Sequence, residues 1–148
     1  MKILFLIYHG FSEHSGISKK IHYQIKGLRE NGHEVHVCSY YIREDGHRVR
    51  MVDDDMVLED YGCGQWAAFK QRFSFKKLTD YVIKSGFEFV YARSFHNANW
   101  ATVKMFKQFK AHHIPSVIEI PTYPYDQEYT GTTSWENKIK LMLDKLYR

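Results

Sequence analysis

The sequence predicts an α/β domain, a Rossmann-like parallel sheet with flanking helices and an edge β-hairpin, on three observations. An unbroken apolar run at residues 3–8 opens the chain, the pattern of a strand covered on both faces. A helical stripe of Ile17, Ile21, Ile25 and Leu28 follows, closed by Asn31-Gly32, and a second strand starts at Glu34. Strand-like and helix-like segments then continue to alternate along the chain.

The elements follow in order. Lys19, Lys20, Lys26 and Glu30 mark the wet side of the first helix, and Gly32 suits the left-handed position that ends it. Val35 and Val37 carry a short second strand over residues 34–40, and so tight a strand, helix, strand unit is a right-handed parallel crossover. Alternation around Asp45-Gly46 predicts a hairpin of residues 48–52 with 56–59. Trp66, Phe69, Phe73, Leu78, Tyr81 and Val82 keep helical spacing through residues 66–84, a segment with Lys70, Arg72, Lys76, Lys77 and Lys84 against Asp80, a local balance of +4. Residues 87–92 form a further strand, Ala98, Ala101, Met105 and Phe109 the inner stripe of another helix, and residues 116–120 the next strand. Ser134 caps a last helix with Ile139, Met142, Leu143 and Leu146 on one face; it meets no stop signal before Arg148, so the coding region is expected to continue, the alternative being a natural C-terminal helix that frays at its end.

The bulk numbers narrow the class. One compact domain is the default for 148 residues at 44% hydrophobic content. The balance of 21 Lys and Arg against 17 Asp and Glu favours anionic partners but falls short of a nucleic-acid signature. Cys38 and Cys63 are far apart and lack metal-site spacing, which points to a reduced, cytoplasmic protein without a metal centre. No signal peptide and no membrane-spanning run is visible, so any membrane contact is peripheral. The first loop lacks GxGxxG and the second strand ends in Cys38-Ser39-Tyr40-Tyr41 instead of a ribose-binding acid, which argues against NAD and FAD; a P-loop is also missing.

In an open parallel sheet, ligands bind beyond the C-terminal ends of the strands, where the strand order reverses. Three loops are expected at that edge: residues 9–16, 93–97 and 121–126. Ser15 and Gly16 open a helix whose N–H groups and dipole suit a phosphate, although Ser15 is equally a simple cap and Gly16 part of a turn. His96 can donate a hydrogen bond or exchange a proton, or serve as an ordinary loop histidine. Arg93 offers a fork for phosphate or carboxylate, or pairs with Glu88 or Asp126. Glu119 is a charge inside an apolar strand and must be exposed, paired or functional. Tyr123, Tyr125 and Tyr129 offer flat faces for a sugar, or pack the crossing to the last helix. The basic aromatic segment 66–84 suits an anionic membrane surface, or is an amphipathic helix with snorkelling lysines.

These residues resemble a known pattern. Residues 1–6, the stretch Ser15-Gly16-Ile17-Ser18-Lys19-Lys20-Ile21, the Gly32-His33-Glu34-Val35 junction, Val90-Tyr91-Ala92-Arg93-Ser94-Phe95-His96 and Glu119-Ile120-Pro121-Thr122-Tyr123-Pro124-Tyr125 are together similar to bacterial family-4-type retaining glycosyltransferases of the GT-B architecture, which pair two Rossmann-like domains. Where that family often has Gly-Gly before the first helix, this chain has Ser15-Gly16. The resemblance implies that residues 1–148 are the N-terminal, acceptor-side domain, the donor-binding C-terminal domain being absent from this chain. It implies metal-independent transfer of a sugar, without a cofactor, from a nucleotide-sugar donor to a glycan or lipid-linked acceptor, and inactivity of this half alone. It assigns Ser15 and Gly16 to the donor diphosphate, His96 to hydrogen bonding at the sugar and acceptor, and Arg93 and Glu119 to acceptor or interdomain contacts. A flavodoxin-like binding domain and a non-catalytic membrane-surface module are the alternatives.

Overall fold

The computed structural model describes residues 1–8, 10, 16–93, 99–119, 135 and 142. The elements are β1 (Lys2–Ile7), α1 (Gly16–Glu30), β2 (Glu34–Ile42), β3 (Arg48–Val52), β4 (Met56–Asp60), α2 (Gly64–Phe73), α3 (Lys76–Lys84), β5 (Phe89–Arg93), α4 (Trp100–Ala111) and β6 (Ser116–Glu119). They build one six-stranded sheet of order β4-β3-β2-β1-β5-β6. β2, β1, β5 and β6 run parallel, and β3 and β4 add an antiparallel edge. The expected Rossmann-like sheet with an edge hairpin is therefore present.

β1 explains its own sequence. Its odd-numbered residues Ile3, Phe5 and Ile7 pack with Ile21 and Ile25 of α1, and its even-numbered Leu4 and Leu6 pack on the other face with Leu78, Val82, Met105 and Phe109 of α3 and α4. Both faces are buried, so no polar alternation is tolerated. Each such side chain stabilises the fold by roughly 1.5–3 kcal/mol. Gly32 takes φ of 80°, the left-handed conformation that ends α1. The chain steps from β1 to β2 on one side and later adds β5 on the other, so the strand order reverses between β1 and β5.

Two expectations are corrected. Residues 66–84 are not one helix: Ser74 is extended at φ −100° and ψ 108°, and the chain breaks there so that Phe75 can turn into the core. Trp66 and Phe69 consequently point outward, and Ala67 is the buried residue of α2. β5 begins at Phe89, because Phe87 is spent in the core immediately after the left-handed Gly86 turn. The last strand is described as Ser116–Glu119, and the predicted helix near the C-terminus, apart from Trp135 and Met142, lies outside the described residues.

The hairpin is fastened to β2 by a charged clasp. In the β3–β4 turn, Asp53 Oδ1 accepts from the Val37 amide at 2.8 Å, while His36 lies between Asp53 at 2.6 Å and Glu34 at 2.9 Å. Partial burial opposes a charge on His36, but Glu34 and Asp53 outweigh it and raise its pKa above the ordinary 6.5. A raised folded-state pKa stabilises below the unfolded value and is lost as pH climbs through the folded one. Melting temperature is therefore expected to fall by about 2–4 °C as pH rises from about 6 to about 8. His36→Gln should flatten that profile in a thermal scan; an unchanged slope would show that the clasp carries no charge linkage.

Candidate functional site

At the reversal point, β5 lies between β1 and β6, and its last residue Arg93 stands level with Ile7 on one side and Glu119 on the other. Tyr91 and Arg93 are two residues apart on one strand and so share the face that α1 covers. Here the sheet gathers four polar side chains. The Glu119 carboxylate accepts from Lys20 Nζ at 2.6 Å, from Arg93 Nη1 at 3.3 Å and from the Tyr91 hydroxyl. Tyr91 is also stacked on Phe5, with ring centroids 4.7 Å apart, which fixes its ring against β1.

The chemistry of this cluster follows from burial and charge. Arg93 has a side chain only 7% exposed, and Glu119 is 19% exposed, so each needs the other. Burial works to raise the Glu119 pKa, and Lys20, Tyr91 and Arg93 overcome it, leaving the carboxyl below its usual range. Burial and the neighbouring Glu119 together raise that of Tyr91. A carboxylate held ionised by three donors is a poor general base, because its proton affinity is low and its lone pairs are engaged. It is suited instead to hold Arg93 and Lys20 as a fixed cationic pair at the crevice edge.

Glu119→Ala leaves the Arg93 guanidinium nearly buried without a counter-charge, at a cost of about 2 kcal/mol after discounting for the half-exposed Lys20. The lowered folded-state pKa gives a stability present above the ordinary value of 4.5 and lost as pH falls through the folded pKa. Glu119→Gln should remove that acid-side loss in denaturant titrations across this range. An acid limb identical to the parent's would overturn the pairing.

The predicted site residues divide into two groups. Arg93 and Glu119 come together as an ion pair; the Glu88 expected as one alternative partner of Arg93 instead accepts from the Lys2 amide at 2.6 Å. Gly16 is the first residue of α1, and a Cβ added there meets nothing within 4 Å among the described residues, so their packing does not require a glycine. Ser15, His96, Tyr123 and Tyr125, with Tyr129 and Asp126, lie outside the described residues. Gly10 is the sterically demanding glycine of this edge: a Cβ would sit 3.1 Å from the Tyr40 carbonyl oxygen and the Tyr41 ring. Gly10→Val is expected to cost about 1–3 kcal/mol by overpacking, read from urea midpoints, and a parent-like midpoint would show that the turn yields freely.

Two functional-edge features escape sequence reasoning. Lys20 reads as a solvated lysine, and its bond to Glu119 joins positions 99 apart. Arg50 reads as a surface residue of the hairpin but is fully buried, with Nε donating to the Tyr61 hydroxyl at 3.0 Å and the guanidinium 5.5 Å from the centre of the Phe75 ring. Burial, only partly offset by Arg50, lifts the pKa values of Tyr61 and of Tyr8, at the end of β1, to about 12.

Among the described residues, no group of three or more His, Cys, Asp or Glu side chains is placed to hold a metal ion, and no helix is long and apolar enough to cross a membrane. Cys38 is buried, Cys63 exposed, and both are free. Fold and site thus define a Rossmann-like α/β domain with a polar cluster at its strand-order reversal. No protein-family model, curated protein or solved structure matches the chain.

Proposed function

We propose that the chain is the acceptor-side half of a GT-B glycosyltransferase that moves a sugar from a nucleotide-sugar donor to a glycan or lipid-linked acceptor. The observation that carries this reading is the Lys20–Glu119–Arg93 cluster at the strand-order reversal, since α/β enzymes of this kind bind their ligands at that edge. Two cations against the one Glu119 carboxylate leave a net positive charge there, which favours an anionic or hydroxyl-rich ligand. The similarity of the Gly32-His33-Glu34-Val35 junction and of residues 90–96 to family-4-type transferases supplies the reaction class. In this assignment Ser15 and Gly16 face the donor diphosphate, His96 the sugar and acceptor hydroxyl, and Tyr123 and Tyr125 the acceptor's rings. The nucleotide is held mainly by a second domain, and no metal or other cofactor takes part.

The natural reading frame beyond Arg148 tests this proposal. It is expected to encode a linker and a second α/β domain with two glutamates eight positions apart; a stop codon directly after Arg148 would sink it. A non-catalytic membrane-surface module is the second reading, favoured by the excess of lysine and arginine on α2 and α3. It predicts surface binding without any transfer.

A further inference from the structure

The three helices covering one face of the sheet carry more than the whole of the molecule's net positive charge. α2 contributes Lys70 and Arg72, α3 Lys76, Lys77 and Lys84, and α4 Lys104, Lys107 and Lys110, against the one acid Asp80. That is +7 on three helices in a chain whose total is +4, so the remainder is net negative. All eight cations are exposed, and among the described residues none of them forms an ion pair, although Lys2, Lys20, Lys26, Arg43 and Arg93 elsewhere do. An unneutralised layer of this kind sets up a one-sided positive field.

The same face exposes large aromatic side chains. Trp66, Phe69 and Trp100 are 77%, 55% and 53% exposed, and half-buried Phe73 joins them into one ladder. Trp66 meets Phe69 edge-on at 6.2 Å, Phe69 meets Phe73 at 4.8 Å, and Phe73 stacks on Trp100 at 5.8 Å with the rings 9° from parallel. Two separate helices therefore build the ladder, and Trp100, at the start of α4, follows the β5 loop that leaves the candidate site. Beside it a groove of about 510 Å³ runs between α3 and α4, floored by Phe75 and Met105 and rimmed by Lys76, Lys104 and Trp100.

We propose that the α2–α3–α4 face docks on an anionic lipid bilayer, its aromatic ladder entering the headgroup boundary and its lysines and arginines meeting lipid phosphates. Exposed Trp and Phe flanked by cations match the two layers of that interface, apolar beneath and anionic above. A single-stranded nucleic acid would use the cations too, but base stacking needs free ring faces. In this ladder Phe73 and Trp100 each give up one ring face to the other, which leaves fewer faces for bases and favours lipid. The docked face comprises α4 as well as the basic segment 66–84. The inference stands apart from the transferase reading, because its test reads binding and not transfer.

The test is sedimentation of the 148-residue chain with vesicles of pure phosphatidylcholine or of phosphatidylcholine containing phosphatidylserine. Binding is expected only with the anionic vesicles and to weaken steeply with added salt. The combined variant Lys70→Gln, Arg72→Gln, Lys76→Gln, Lys77→Gln should lose about two orders of magnitude in partition coefficient. Trp66→Ala with Trp100→Ala should lose about tenfold through the apolar term. The control Lys19→Gln with Lys26→Gln, on the opposite face, should bind like the parent, and circular dichroism melts establish that all variants fold. Equal partition into neutral vesicles, parent-like binding by the four-charge variant, or binding of single-stranded RNA without vesicle binding would each overturn the proposal.

Discussion

Arg50→Ala is expected to destabilise the domain by about 3–5 kcal/mol. The residue is 0% exposed, in the middle of β3, where its partners are Tyr61 and the face of Phe75. Truncation removes a charge-assisted hydrogen bond and a cation–π contact, and it opens a hole under the helix layer. Arg50→Met keeps the volume and discards the charge, so it should cost less than about 1.5 kcal/mol, because a desolvated charge returns little net stability. Urea unfolding of the two variants measures the contrast. An Ala variant within about 0.5 kcal/mol of the parent would show that the site collapses without cost.

The phenols around Arg50 add a pH signature. Burial raises Tyr8 and Tyr61 from 10.0 to about 12, so the folded state keeps protons that the unfolded chain releases. Their contribution is complete below pH 10.0 and is lost as pH rises through about 12. Alkaline unfolding should accordingly coincide with the appearance of tyrosinate absorbance from these two residues.

If the full-length protein is the transferase proposed above, His96→Ala is expected to lower its kcat by about 10²–10⁴-fold with the fold intact. β5 ends at Arg93, three residues before His96 in the sequence, at the end of the sheet where the order reverses. A positioned imidazole there would share a proton or a hydrogen bond with the acceptor hydroxyl as the glycosidic bond to the leaving diphosphate weakens. Its loss should appear in kcat more than in KM, since such a bond strengthens in the transition state. Parent-like kcat would reduce His96 to a loop histidine.

How much of this was legible in the sequence depends on whether the responsible contacts are local. β1 was readable because burial on both faces leaves no polar alternation, and the hairpin because its turn and alternating residues lie within a few positions of one another. The break between α2 and α3 was not, since Ser74-Phe75 carries neither Gly nor Pro and the aromatic spacing runs on across it. Trp66 and Phe69 imitate a core stripe; only the packing shows that α2 buries Ala67 instead. At the candidate site, the pattern alone puts Arg93 in the loop after a strand and Glu119 inside one; that Arg93 instead closes β5 and pairs with Glu119 depends on β5 and β6 being neighbours in register. The share of Lys20 in it depends on a contact across 99 positions, which no window of sequence contains.

The claim of glycosyl transfer is tested most directly by assaying the protein encoded by the complete natural reading frame with a panel of labelled nucleoside-diphosphate sugars, membrane extract serving as the source of acceptor. Label from one donor is expected to enter a glycan or lipid fraction, and the 148-residue chain alone should transfer none. Absence of transfer from every donor by the complete, folded protein would contradict the account.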